Sequence, residues 1–326
     1  MKNQFADMHC DTITTLYQKR QEQEKESLRK ETLFHNSLQL NLDGMQKAGY
    51  ALQNFAIFLS KEKVKNLYQE ALLRISFYIE EMEKNKDIIS PVTTYDEIQN
   101  NMRAGKMSAL LTLEGGEILE GSVDNLHHFY ELGVRMLTLT WNFPNELGFP
   151  NKGTDIKSGL TNKGIEILQE MERLHIIPDV SHGSDALFYD VCRYTKKPFV
   201  ASHSNARAVY NHPRNLSDEM IKELAKRGGV MGMNFCADFV SAKSSNDRIC
   251  YAQDIVRHMR HIYNIGGIEC IGLGSDFDGI ENAVEWKDAS GMEFLYDTMK
   301  KAGFTESDCD KILKDNVLRV YREWLA

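Results

Sequence analysis

Phe5-Ala6-Asp7-Met8-His9-Cys10-Asp11 is the stretch whose reading decides the fold. It opens as apolar, strand-like sequence and closes on His-x-Asp. Residues two apart in a strand face the same side. His9 and Asp11 should therefore point together where the strand runs out. A carboxylate beside a neutral imidazole is a good ligand pair for zinc. Cys10, between them, points the other way and reads as a small core residue. The tripeptide alone is weak evidence; its weight comes from recurrence.

Apolar strand-like runs return at Ala51–Ser60, Ser108–Gly115, Val134–Asn142, Ile176–His182, Pro198–Ser204, Gly229–Cys236 and Cys270–Asp278. Most are near-continuous rather than alternating, as strands buried on both faces are. Helical patterns lie between them: Val64–Glu83, Lys163–Leu174, Ser184–Tyr194, Ser217–Lys226, Asp247–Tyr263 and Met292–Lys301. Asp308–Leu325 suits a closing helix. Ser217 before Asp218 and Glu219 puts a cap and two acids at a helix start. About eight strand–helix units predict an α/β fold, a (β/α)8 barrel of the TIM type, with its site at the C-terminal ends of the strands. An open doubly wound sheet would prefer fewer strands and a nucleotide site, and no G-x-G-x-x-G or P-loop is present. No Pro/Gly/Ser-rich linker divides the chain, so one domain is expected over residues 1–326. Gln18–Glu31, dense in charge, reads as a solvated helix or excursion.

Composition agrees with this frame. The chain has 326 residues, 42% apolar and 26% charged, with a net charge of −8. That length can bury a large core, and the negative balance argues against nucleic acid or an anionic membrane as partner. No apolar run approaches the ~20 residues of a membrane span, and strand-like sequence begins too early for a leader. A cytoplasmic protein is expected. The six cysteines form no Cys-x-x-Cys and read as free thiols.

The polar residues at the strand ends carry the chemistry. The first strand ends in His9 and Asp11, the third in Glu114, the fifth in His182, the sixth in His203 and the eighth in Asp276, with Asp278 just beyond. The remaining histidines, among them His127, His128, His258 and His261, sit in helix-like or loop sequence and read as surface or capping residues. His9, Asp11, Glu114, His182 and His203 are too many ligands for one tetrahedral zinc with an open position. A carboxylate can bridge, so Glu114 can serve two divalent ions ~3.5–4 Å apart. Two such ions carry four positive charges; two ligand carboxylates and a bridging hydroxide remove three. Asp276 would neutralise the rest and accept the hydroxide's proton. A bridged water is acidic enough to act as nucleophile near neutral pH. The chemistry implied is hydrolysis of an acyl or related bond.

With these motifs in place, the chain resembles the renal, or membrane, dipeptidase family, binuclear zinc dipeptidases of the amidohydrolase superfamily. The likeness runs nearly end to end. It includes His9-Cys10-Asp11, Leu113-Glu114-Gly115-Gly116, Leu137-Thr138-Leu139-Thr140, Asp179-Val180-Ser181-His182, Ser202-His203-Ser204, Pro213-Arg214-Asn215 and Gly274-Ser275-Asp276-Phe277-Asp278-Gly279. The resemblance implies two zinc ions, His9 and Asp11 on one, His182 and His203 on the other, Glu114 bridging. It implies Asp276 as acid/base and Arg214 as the grip on the dipeptide's C-terminal carboxylate. Family members are commonly homodimers.

One position departs. After Leu-Thr-Leu-Thr the mammalian members carry a histidine that helps hold the substrate and developing oxyanion; here it is Trp141, followed by Asn142. Trp offers only its indole N–H. Either that N–H or the Asn142 amide replaces the missing donor, or Trp141 is a wall against the substrate side chain. The expected function is a metal-dependent dipeptidase cleaving free dipeptides. The alternatives are the same site tuned to an N-acyl amino acid or lactam, and a metal-bound barrel that binds small peptides with little turnover. Zinc, manganese and cobalt all suit such ligands.

Overall fold

In the computed structural model, which describes residues 4–26, 31–153 and 155–326, eight parallel strands close into a barrel. They are β1 Phe5–Asp7, β2 Tyr50–Phe58, β3 Met107–Glu114, β4 Val134–Thr138, β5 Ile177–Asp179, β6 Val200–Ala201, β7 Val230–Met233 and β8 Ile271–Leu273. Each pairs with the next, and β1 pairs with β8 through Asp7 and Leu273. Closure leaves the barrel strands without free edges.

The strands are shorter at their C-terminal ends than the sequence suggests. β1 stops at Asp7 because its carboxylate takes the His9 main-chain N–H (3.2 Å) and turns the chain. A single bridge from Cys10 to Phe277 then resumes the pairing. His9 and Asp11 are thus placed by a bend and a bridge rather than by regular alternation. Cys10 is buried in the core, as expected.

Helices cover the barrel. Thr12–Glu26 takes up most of the charged stretch after β1; residues 27–30 lie outside those described. Leu67–Lys84, Asn162–Leu174, Asp185–Tyr194 and Asp218–Lys226 fall where the periodicity puts them. Asp247–Tyr263 is not one helix. A short helix Ala242–Asp247 ends at Arg248 in the left-handed region, and a new one, Ala252–Gly266, follows. Sequence periodicity also missed a small strand, Ile89–Pro91, and the helices Tyr95–Ala104 and Val123–Glu131. Tyr95–Ala104 starts from a complete Thr94/Glu97 capping box, a signal that was available.

The core has two parts. Between strands and helices lies the larger one, rich in Leu, Ile, Phe and Met. Each such side chain fully buried stabilises the fold by roughly 1.5–3 kcal/mol. The second fills the barrel below the site. There Ala6, Met8, Leu52, Leu110, Val200 and Val230 meet the helix Asn316–Leu325. This helix follows a wide π turn at Lys311–Asp315 that interrupts the expected closing helix. Tyr321 accepts from Asn54 Nδ2 (2.7 Å), and Trp324 Nε1 donates to Pro198 O (2.6 Å). The lower mouth of the barrel is sealed, and the upper rim is left for chemistry.

Candidate active site

The rim gathers six residues from the ends of five strands that are far apart in sequence. His9 Nε2 lies 3.4 Å from Asp11 Oδ2, 3.5 Å from Glu114 Oε2 and 3.8 Å from Asp276 Oδ1. On the other side of Glu114, Oε1 is 3.1 Å from His182 Nε2 and 3.6 Å from His203 Nε2. The two Nε2 atoms are 3.0 Å apart. All five expected ligands are less than a tenth exposed. Glu114, the last residue of β3, thus presents one oxygen to each half of the cluster. The structure brings together all six residues read from the strand ends. It adds a closer association of His9 with His203, whose rings lie 3.9 Å apart.

Several features fit bound cations. His9 Nε2 and Asp11 Oδ1 are buried without a hydrogen-bond partner among the described residues, which is costly unless a cation is there. Ligand atoms of His9, Glu114 and His203 gather within 4.8 Å of one another, as do those of His9, Asp11 and Asp276. Burial, with the nearby Arg214 charge, lowers His182 to about 4 and pushes His203 well below its usual range. Both are therefore neutral, the ligand form. At His9 burial acts downward, but the carboxylates of Glu114 and Asp11 outweigh it and hold the imidazole well above its usual value. Glu114 is the converse: burial acts upward, and the neighbouring His9 and His182 hold it well below the carboxylate range. An acidic pocket that draws protons onto its own histidine is one that divalent ions can neutralise.

Asp276 sits differently. Oδ2 accepts from Asn234 Nδ2 (3.0 Å), and burial followed by the charges of Asp11 and Glu114 raises its carboxyl to about 7. A carboxyl poised there can give and take a proton near neutrality. Gly279 leaves it space: a Cβ at that position would stand 2.2 Å from Asp11 Oδ2 and 2.5 Å from Asp276 Oδ1. Asp276, Asp278 and His182 all adopt left-handed backbone, with φ of 62°, 69° and 68°. Asp278 is a tie rather than a reacting group. It accepts from Thr12 Oγ1 and from the Gln39 N–H, both at 2.6 Å.

The cavity above the cluster measures 460 Å³ and is lined by Asp11, Glu114, His182 and Asp276 together with Phe58, Trp141, Asn142, Cys236 and Phe239. Trp141 stands against Phe58, ring centroids 4.6 Å apart, and faces His182 at 6.2 Å. Asn142 Oδ1 meets His182 Nδ1 at 3.1 Å. Its oxygen is thus used in orienting the His182 ring. Arg214 does not line the cavity. It lies 5% exposed against the Phe239 ring; among the described residues its side chain makes only long bonds, to His203 O (3.3 Å) and Ser204 Oγ (3.5 Å), and its Nε has no partner.

Outside the site, one histidine corrects the sequence reading. His258 is fully buried. Its Nδ1 accepts from the Ala206 N–H (3.1 Å), and its Nε2 donates to Val240 O (2.8 Å). It is a core brace, not a surface residue, hidden because a helical stretch rich in charge gave no hint of its inward face. His261 is a partly exposed residue that pairs with the Asp218 carboxylate at 2.7 Å, in the first turn of the helix Asp218–Lys226 that Ser217 caps. No helix among the described residues is long and apolar enough to cross a membrane.

The comparisons with known proteins agree with this geometry. A dipeptidase of Schizosaccharomyces pombe, itself uncharacterised, is 30% identical over 310 residues, 89% of this chain and 74% of its own. An uncharacterised Klebsiella pneumoniae protein from the pqqA 5′ region is 35% identical over 226 residues, 68% of this chain and 83% of its own. A solved metallopeptidase, dipeptidase AC of family M19, superposes with a TM-score of 0.90 at 26% identity, covering 100% of both chains. For the fold alone, a Rhodobacter sphaeroides metallopeptidase solved with a phosphinate mimic of L-Ala-D-Ala gives a TM-score of 0.89 at 24% identity, again over 100% of both. A sequence model described as membrane dipeptidase, peptidase family M19, matches residues 1–325. The chain belongs to the membrane dipeptidase family, and it is a metallo-dipeptidase.

Proposed function

We propose that this metallo-dipeptidase hydrolyses free dipeptides with two divalent ions, zinc first among the candidates, held by His9 and Asp11 on one side, His182 and His203 on the other, and Glu114 between. The observation that carries the reading is Glu114. Its two oxygens face opposite halves of a buried cluster whose imidazole nitrogens converge on them. When bound, such a pair of ions lowers the pKa of a shared water toward neutrality and so supplies the nucleophile.

The chain's own residues do the rest. Asp276, with a carboxyl near 7, takes the nucleophile's proton and returns it to the leaving amine. Asn234 holds that carboxylate through Oδ2, leaving Oδ1 turned toward His9 and the cluster. Arg214, with long bonds and one orphan N–H, offers donors to a substrate carboxylate arriving beside Phe239. A guanidinium meets a carboxylate with two parallel bonds. Phe58 and Trp141 wall the cavity and exclude water from one side of the substrate.

A dipeptide panel scored by amino-acid release, run beside metal analysis, tests this. Dipeptides with free C-termini should be cleaved well and their amides poorly, and Arg214→Ala should erase that preference. Equal cleavage of a dipeptide and its amide by the wild type refutes the Arg214 role. Turnover of N-acyl amino acids or lactams alone refutes the dipeptide assignment. One ion per chain in fully active enzyme refutes the binuclear site.

A further inference from the structure

Two buried aspartates below the rim use the same device. Asp7 and Asp179 are the last residues of β1 and β5. Each accepts the main-chain N–H two residues on: His9 for Asp7 (3.2 Å) and Ser181 for Asp179 (2.9 Å). Each also accepts the N–H of a serine on the neighbouring strand end, Ser275 (2.9 Å) and Ser202 (2.8 Å). Those serines immediately precede two residues of the site, Asp276 and His203.

The second carboxylate oxygens differ. Oδ2 of Asp7 is buried with no hydrogen-bond partner among the described residues. Oδ2 of Asp179 accepts from Thr138 Oγ1 and from Ser202 Oγ, both at 2.6 Å. Ser202 Oγ in turn lies 2.7 Å from His203 Nδ1.

A serine hydroxyl has a single proton. With that proton committed to the Asp179 carboxylate, Oγ can only accept from the imidazole. Ser181 Oγ is a weaker competitor: it stands 3.4 Å from Ser202 Oγ and already accepts the His203 N–H at 3.0 Å. The ring proton of His203 therefore belongs on Nδ1, which leaves a lone pair on Nε2, the atom facing Glu114 and His182.

We infer that Asp179, acting through the Ser202 hydroxyl, is a positioning residue that fixes the tautomer and orientation of His203 for a metal ion. The inference rests on the two-metal reading. It assigns a role to an aspartate at a strand end that resembles a ligand in sequence and touches no ligand position. Outer partners of this kind are typically worth about 10–100-fold in metal affinity.

Ser202→Ala tests it in the full chain. The substitution removes the hydroxyl and keeps the main-chain N–H on Asp179, so the clamp between β5 and β6 survives. Zinc affinity is read by competition with a chromophoric chelator, and the ring tautomer of His203 by nitrogen NMR of histidine-labelled, metal-free protein. The expected result is one ion bound 10–100-fold more weakly and the other unchanged. The wild-type ring should be protonated at Nδ1, and the variant should show a tautomer mixture. Both ions held within threefold of wild type would overturn the inference. So would a wild-type His203 protonated at Nε2, a measurement that stands even where the variant fails to fold. A wild type that binds fewer than two ions overturns the two-metal reading first, and this inference with it.

Discussion

Replacing Glu114 by glutamine should separate the stability of the metal-free protein from that of the loaded one. Without metal, the change gives up the pairing with His9 and relieves the charge that pushes Asp11 and Asp276 up. These effects oppose each other, so the metal-free unfolding midpoint should move little. With metal, the loss is direct, because an amide has one accepting oxygen where the carboxylate has two. Binding at one hundred times Kd stabilises a native state by about 2.7 kcal/mol per site, hence about 5 kcal/mol for two. The unfolding entropy scales as ~2.1 cal/mol/K per residue. For 326 residues, 5 kcal/mol then corresponds to a shift of ~7 °C. The wild type should show that shift on adding zinc to metal-free protein, and Glu114→Gln should lose most of it together with activity. Scanning calorimetry with and without metal, paired with elemental analysis after gel filtration, reads both quantities. A variant that keeps two ions and the full thermal shift would refute the bridging argument.

Asp276→Asn should reduce kcat by about 10²–10⁴-fold while metal content stays at the wild-type level; a variant within a few-fold of wild type would place the proton transfer elsewhere. Trp141→Phe keeps the ring against Phe58 and removes the indole N–H, so kcat near wild type is expected, and a drop of a hundredfold would make the indole an oxyanion donor. Asn142→Ala should instead weaken metal binding, by about tenfold through the lost hold on His182; unchanged affinity in a chelator titration would refute that. Burial holds folded His258 at about 4, below the 6.5 of the unfolded chain. Its contribution is thus complete above pH 6.5 and is lost as pH falls toward 4, about 3 kcal/mol in all. Wild-type Tm should therefore fall more steeply over that window than that of His258→Gln, and parallel curves would refute the assignment.

The barrel and the polar cluster at its rim were legible because parallel strands buried on both faces admit polar residues mainly where they end. His9, Glu114, His182, His203 and Asp276 stood out against apolar runs for that reason, and the rhythm of those runs gave the strand count. What periodicity could not give was partnership. Asn142 and Asn145 look alike in sequence. The structure uses one to orient His182 and the other to pin the following loop through Glu117 and the Leu147 and Gly148 amides. Asp179 looks like one more rim carboxylate, yet four donors from three strands occupy it. His258 was hidden because its partners, Ala206 N and Val240 O, lie on loops far away in the chain. The π turn at Lys311–Asp315 carries no proline or glycine that would mark it in sequence, and it leads into the helix that seats Tyr321 and Trp324 under the barrel.

The left-handed backbone at His182 and Asp276 bears on how this protein would respond to selection for heat resistance. Each such residue costs on the order of 1–2 kcal/mol relative to a right-handed conformation, a cost that glycine avoids and asparagine lessens. Two of them on one rim amount to about 2–4 kcal/mol, a sizeable share of the ~5–15 kcal/mol that keeps a typical domain folded. A library randomised across the rim and screened only for survival on heating should drift to Gly or Asn at these positions and lose turnover as it gains Tm. Sorted for stability alone, the chain would reveal its working residues as the ones it discards.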